Sequence, residues 1–173
     1  MSQRLIEIDD GIIRPEFFNK IENSFKRVLF VAKEPNKNNH PDKSGSFIQE
    51  WGYGNPKYTF AHRVAELAYG ILYDFQSYDS ISGINNFNKR LDTLKRIAFI
   101  NVKKTGGYST SSKSVILSEI IKNKRIILDQ ILKINPTHII FGLSSKELIE
   151  SLIGSNLLLP TGAGCNYAIW NEI

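Results

Sequence analysis

Apolar residues in this chain fall into two kinds of cluster. Short unbroken runs, Val28-Leu29-Phe30-Val31, Ile97-Ala98-Phe99-Ile100 and Ile139-Ile140-Phe141, read as strands buried on both faces. With their flanks they predict strands over Arg27 to Lys33, Arg96 to Val102 and Thr137 to Phe141. Longer stretches carry apolar residues every three or four positions and predict amphipathic helices. One runs from Thr59 to Phe75 on Phe60, Val64, Leu67, Ala68, Ile71, Leu72 and Phe75. Another runs from about Lys113 to Lys133 on Ile116, Leu117, Ile120, Ile121, Ile127, Leu128 and Ile131, with Pro136 marking its end. Shorter helices are expected over Pro15 to Phe25, opened by proline, and over Asn88 to Lys95. A further helix follows Gly142-Leu143, opened by Ser144 with Glu147 three residues on as a capping box. Asn166 to Trp170 predicts a last strand, and residues 36–57 a long loop ending in Trp51-Gly52-Tyr53-Gly54-Asn55-Pro56.

Strands separated by helices pair in parallel through right-handed crossovers. The expectation is therefore a three-layer α/β/α arrangement around a central four-stranded, mainly parallel sheet, in one domain spanning residues 1–173. With 42% hydrophobic and 23% charged residues, the composition suits a globular core. No apolar run approaches a membrane span, and Met1 to Asp10 lacks a signal-peptide core. The single cysteine, Cys165, excludes an internal disulfide and a four-cysteine metal or iron–sulfur site. His40, His62 and His138 lack ligand spacing, so neither metal nor cofactor is expected. A cytoplasmic monomer is the simplest expectation. The formal charge of +5 and sequence pI near 9.3 favour a polyanionic partner.

Chemistry gathers at the carboxyl ends of the strands, where open α/β sheets bind ligands. Glu34-Pro35 closes the first, Asn101 closes the second ahead of Val102-Lys103-Lys104, and Gly142 closes the third. In order and type, Val28-Leu29-Phe30-Val31-Ala32-Lys33-Glu34-Pro35-Asn36, Ile97-Ala98-Phe99-Ile100-Asn101-Val102-Lys103-Lys104 and Ile134-Asn135-Pro136-Thr137-His138-Ile139-Ile140-Phe141-Gly142 resemble the motifs of the uracil-DNA glycosylase superfamily. The resemblance spans roughly residues 27–154.

The resemblance implies a hydrolase of N-glycosidic bonds in DNA, acting in repair on a base flipped out of the stack. Glu34 and Asn101 would be its catalytic pair. A carboxylate beneath the sugar stabilises the developing cation and orients or deprotonates water. An amide at Asn101 can donate to a pyrimidine carbonyl and accept from its ring N–H. Ala32, Pro35, Tyr58 and Phe60 would line the base, and Lys33, Lys37, Lys103 and Lys104 would hold phosphates, with DNA single- or double-stranded. Three departures stand out. Ala32 replaces the usual glycine, Glu34 stands where Asp or Asn is usual, and no His-Pro-Ser-type motif follows near the C-terminus. Asn171 falls where the family's histidine would be, and the only His-Pro pair is His40-Pro41.

The residues also admit plainer readings. Asn101 can satisfy backbone groups at a strand end, Phe60 falls on the apolar stripe of its helix, and Tyr58 precedes that stripe. His62 reads as a solvent-facing or capping residue, and His138 as a hydrogen-bonded histidine in a strand. Trp51 and Tyr53 can contact nucleic acid or pin the long loop, and Gly106-Gly107 can approach a phosphate. Two other function classes fit: a non-catalytic nucleic-acid-binding module of the same fold, and a nucleosidase acting on free nucleosides or nucleotides.

Overall fold

The computed structural model describes residues 9–18, 20, 26–34, 46–54, 56–75, 87–105 and 111–154. Its strands are β1 (Gly11–Ile12), β2 (Val28–Ala32), β3 (Ala98–Asn101) and β4 (His138–Phe141). Its helices are α1 (Phe47–Gly52), α2 (Thr59–Leu72), α3 (Phe87–Lys95), α4 (Lys113–Ile134) and α5 (Lys146–Ile153). The four strands form one mixed sheet in the order β1-β3-β2-β4, so the fold is mixed α/β.

β2 pairs in parallel with β3 on one side and with β4 on the other. All five β2 residues are buried, as an unbroken apolar run in a central strand requires. Alternation along the strands sorts their side chains onto two faces. Leu29, Val31, Ala98, Ile100, Ile139 and Phe141 pack with Ile116, Ile120, Ile127 and Ile131 of α4 and with Leu148, Ile149 and Leu152 of α5. Val28, Phe30, Ala32 and Phe99 pack on the other face with Trp51 of α1, Ala61, Val64, Ala65, Ala68 and Leu72 of α2, and Leu94 of α3.

Several sequence expectations need correction. The antiparallel strand at the sheet edge is β1, whose two residues face Ala98 and Phe99 of β3. Gly11 holds φ at 146°, a conformation that favours glycine. The expected strand at Asn166 to Trp170 lies outside the described residues. Pro15 to Phe18 form a turn rather than the start of a helix, with the N–H groups of Phe17 and Phe18 both donating to the Arg14 carbonyl. The stretch expected to be loop contains α1, because Ser46 accepts from the Gln49 N–H as an N-cap and Trp51 is fully buried.

In α2 the small residues Ala61, Ala65 and Ala68 form the buried centre. Phe60 and Leu67, on the margin of the apolar stripe, are about half exposed. In α4, Ile121 likewise turns outward. The capping box does not form: the N-cap of α5 is Ser145, without a side-chain bond, and Glu147 pairs with Lys113 instead. The long helix α4 ends where Asn135 turns into the left-handed region and donates its N–H to the Ile131 carbonyl, ahead of Pro136. Among the described residues no helix is long and apolar enough to cross a membrane.

Leu29 is fully buried in β2, opposite Ala98 and Ile139. Leu29→Ala is expected to cost about 2–5 kcal/mol by leaving a cavity on the α4–α5 face. The shift of the urea unfolding midpoint at constant slope measures it.

Candidate functional site

The register Ala32↔Asn101 brings the ends of β2 and β3 level. Parallel pairing then continues beyond the strands: the Val102 N–H donates to the Ala32 carbonyl, and the Lys103 N–H to the Lys33 carbonyl, both at 2.9 Å. This extension sets the residues that follow side by side. Lys103 Nζ lies 2.9 Å from Glu34 Oε2, and the side chains are only 16% and 6% exposed. Glu34 is therefore an enclosed carboxylate held by an ammonium group, and Lys103 is spent on it rather than standing alone at the surface.

Asn101 is 0% exposed, and neither its Oδ1 nor its Nδ2 has a hydrogen-bond partner. Its register partner Ala32 belongs to the face covered by α1 and α2, as does Phe99 two residues earlier. The Asn101 side chain thus leaves the sheet on the aromatic face. Burying an amide without partners costs about 1–3 kcal/mol, and such groups in a folded protein call for an explanation. The plainer reading, that the Asn101 side chain satisfies backbone groups, does not hold in this structure.

An aromatic cluster gathers around Phe99 on the same face of the sheet. Phe99 lies 4.6 Å from the Trp51 ring, 4.7 Å from Phe47 and 5.9 Å from Phe60, the last in an edge contact. Phe60 remains 47% exposed and Tyr58 38%. Tyr58 is tied down by its hydroxyl, which accepts the Trp51 Nε1–H at 2.6 Å, and burial pushes its phenol well above the ordinary value. Phe60, expected in the core, is thus the freer ring of the two. Trp51 pins the segment before α2, while Tyr53 is exposed and lies under the Arg14 guanidinium.

Lys104 points elsewhere. Its Nζ lies 2.9 Å from Asp10 Oδ1 and 2.7 Å from Gln130 Oε1, and burial lowers its pKa against the pull of Asp10. Lys33 is partly exposed just past β2. Pro35, Lys37, Gly106 and Gly107, with His40, Pro41 and Asn171, lie outside the described residues. His62 is partly exposed, with its Nε2 buried and without a partner. His138 shares a 2.9 Å hydrogen bond with the Thr137 hydroxyl, and burial lowers its pKa. The described residues contain no group of three or more His, Cys, Asp or Glu able to hold a metal ion.

Sequence reasoning missed Asp10, whose carboxylate accepts the Asn101 backbone N–H at 2.8 Å. The signal was faint: two adjacent acids, Asp9-Asp10, just ahead of a glycine.

Tyr58→Phe removes the acceptor of a buried indole N–H and is expected to destabilise by about 1–3 kcal/mol. It also changes the alkaline response. A phenol raised in the folded state keeps its proton while the unfolded chain loses it above pH 10.0, so folding stability falls as pH rises past that value. Tyr73, also raised by burial, adds to that fall. Urea titrations between pH 8 and 11 should show a smaller alkaline loss in Tyr58→Phe than in the parent.

Comparisons with family models, curated proteins and solved structures return no match for this chain.

Proposed function

We propose that this chain is a divergent uracil-DNA glycosylase-like protein that takes a nucleobase of DNA against Asn101 and hydrolyses its N-glycosidic bond with Glu34. The observation that carries this reading is the Asn101 amide, wholly buried with donor and acceptor both unused, at the end of a strand whose parallel neighbour runs on to the enclosed Glu34 carboxylate. A donor and an acceptor on one planar group complement the carbonyl and ring N–H of a uracil-type edge, and cytosine lacks that N–H. Phe60 and Tyr58 are the rings available to stack on an extruded base. Three adjacent parallel strands with helices packed on both faces agree with the glycosylase-like three-layer fold that this reading assigns.

In this mechanism positive charge grows on the deoxyribose as the bond to the base lengthens. Glu34 stabilises that charge and accepts a proton from the attacking water, while the Asn101 amide donates to the base carbonyl that gains negative charge. Lys103, 2.9 Å from Glu34 Oε2, orients that carboxylate. Lys33, partly exposed just past β2, is the lysine left to meet a flanking phosphate, which would make affinity fall with salt.

Glu34→Gln keeps shape and removes the charge. It is expected to slow base release by about a hundredfold or more, equivalent to roughly 3 kcal/mol, with DNA affinity retained. Asn101→Asp replaces a donor with an acceptor and should change which base is accepted. The test is abasic-site formation under single-turnover conditions on DNAs carrying uracil, thymine or other bases. Full activity in Glu34→Gln rules out the mechanism. DNA binding without base release in the parent identifies a binding module. Hydrolysis of free nucleosides without DNA binding identifies a nucleosidase.

A further inference from the structure

Asp10 sits where the short strand β1 stops. The Val102 N–H faces β2, so by alternation the Asn101 N–H faces the β1 side. A longer β1 would meet that N–H with a backbone carbonyl. Here the Asp9 carbonyl is turned away to accept the Phe47 N–H at 3.0 Å, and Ser46 donates its hydroxyl to Asp9 Oδ2 at 2.6 Å. The Asp10 carboxylate takes over: Oδ2 accepts the Asn101 N–H at 2.8 Å and Lys104 Nζ at 3.0 Å. Oδ1 accepts Lys104 Nζ at 2.9 Å and Gln130 Nε2 at 3.0 Å. Gln130 Oε1 closes the ring by accepting Lys104 Nζ at 2.7 Å.

The Asp10 side chain is 1% exposed and Lys104 14%. A buried ion pair of this kind is weak evidence for stability, since an apolar replacement of similar size often serves as well. What it supplies here is direction. Three donors from β3, from the residue after Lys103 and from α4 fix one carboxylate, and that carboxylate fixes the backbone of the residue whose amide stands unpartnered. We propose that Asp10 is a positioning residue, held by Lys104 and Gln130, that sets the height and orientation of the Asn101 amide in the site. The inference rests on the reading of Asn101 as the base-contacting amide. It adds that base recognition is controlled from the N-terminal segment on the far side of β3.

Two variants test it. Asp10→Asn combined with Lys104→Met removes the buried charges together, and Gln130→Ala removes one donor while leaving the ion pair intact. The first readout is the side-chain amide signal of Asn101 in a two-dimensional ¹⁵N spectrum, assigned by its loss in Asn101→Asp. It should shift and exchange its protons faster in the double variant, and move in the same direction by less in Gln130→Ala. The second readout is single-turnover base release: the maximal rate should fall up to about a hundredfold, as misplacement of a contacting group by about 1 Å can do, with the DNA concentration for half-maximal rate nearly unchanged. An Asn101 signal in Gln130→Ala that matches the parent overturns the proposal, whether or not the double variant folds. If the parent releases no base, the proposed function fails while the amide signal still decides the role of Asp10. Normal base release in a folded double variant overturns the positioning role and leaves the proposed function standing.

Discussion

The pairing of β2 with β3 is the constraint on which the site depends. Its register fixes Ala32 opposite Asn101, and its continuation through the Lys33 carbonyl carries the alignment past the last strand residues. Glu34 and Lys103 are 69 positions apart in the chain, yet the ladder leaves them adjacent. A slip by one residue would send the Asn101 side chain to the α4–α5 face and separate it from the aromatic cluster. The apolar filling of both faces resists that slip, because every β3 side chain would change sides at once.

The two faces are built differently. The α4–α5 face is filled almost wholly by branched aliphatic residues, which pack densely and offer no polar handle. The α1–α2 face carries Trp51, Phe47 and Phe99 near the strand ends and small alanines along α2. Alanines bring that helix close to the sheet, while Phe99, at the centre of the rings, shares its face of β3 with Asn101. Polar contacts then stitch the N-terminal segment to both sides: Asp9 to the start of α1, and Asp10 to the end of β3 and to α4.

The three parallel strands were legible because short unbroken apolar runs rich in β-branched and aromatic residues suit a doubly covered sheet. The long helices were legible from their period. β1 was not, since two residues carry no period, and its pairing depends on β3 from far along the chain. α1 hid in an aromatic and glycine-rich stretch, where a six-residue helix relies on the Ser46 cap and on Trp51 finding a pocket. The misplacement of Phe60 and Ile121 has one cause. Periodicity identifies a stripe, but which large residues fall at its margin depends on how close the neighbouring layer comes. At the site, Glu34 and Asn101 could be singled out from their strand-end positions. The commitment of Lys103 to Glu34 and of Lys104 to Asp10 could not, because side-chain pairing across 69 and 94 positions leaves no local mark.

Trp51 gives the site an optical consequence. The chain has two tryptophans, and this one is fully buried, bonded through its indole N–H to Tyr58 and within 4.6 Å of Phe99. Indole emission responds to the polarity around the ring and to the hydrogen bond at its nitrogen. A molecule that displaced Tyr58 or stacked on Phe60 would disturb that bond or that polarity. The protein therefore carries an intrinsic fluorophore in contact with the rings proposed to stack on a base, and their engagement is readable by light without attaching a label.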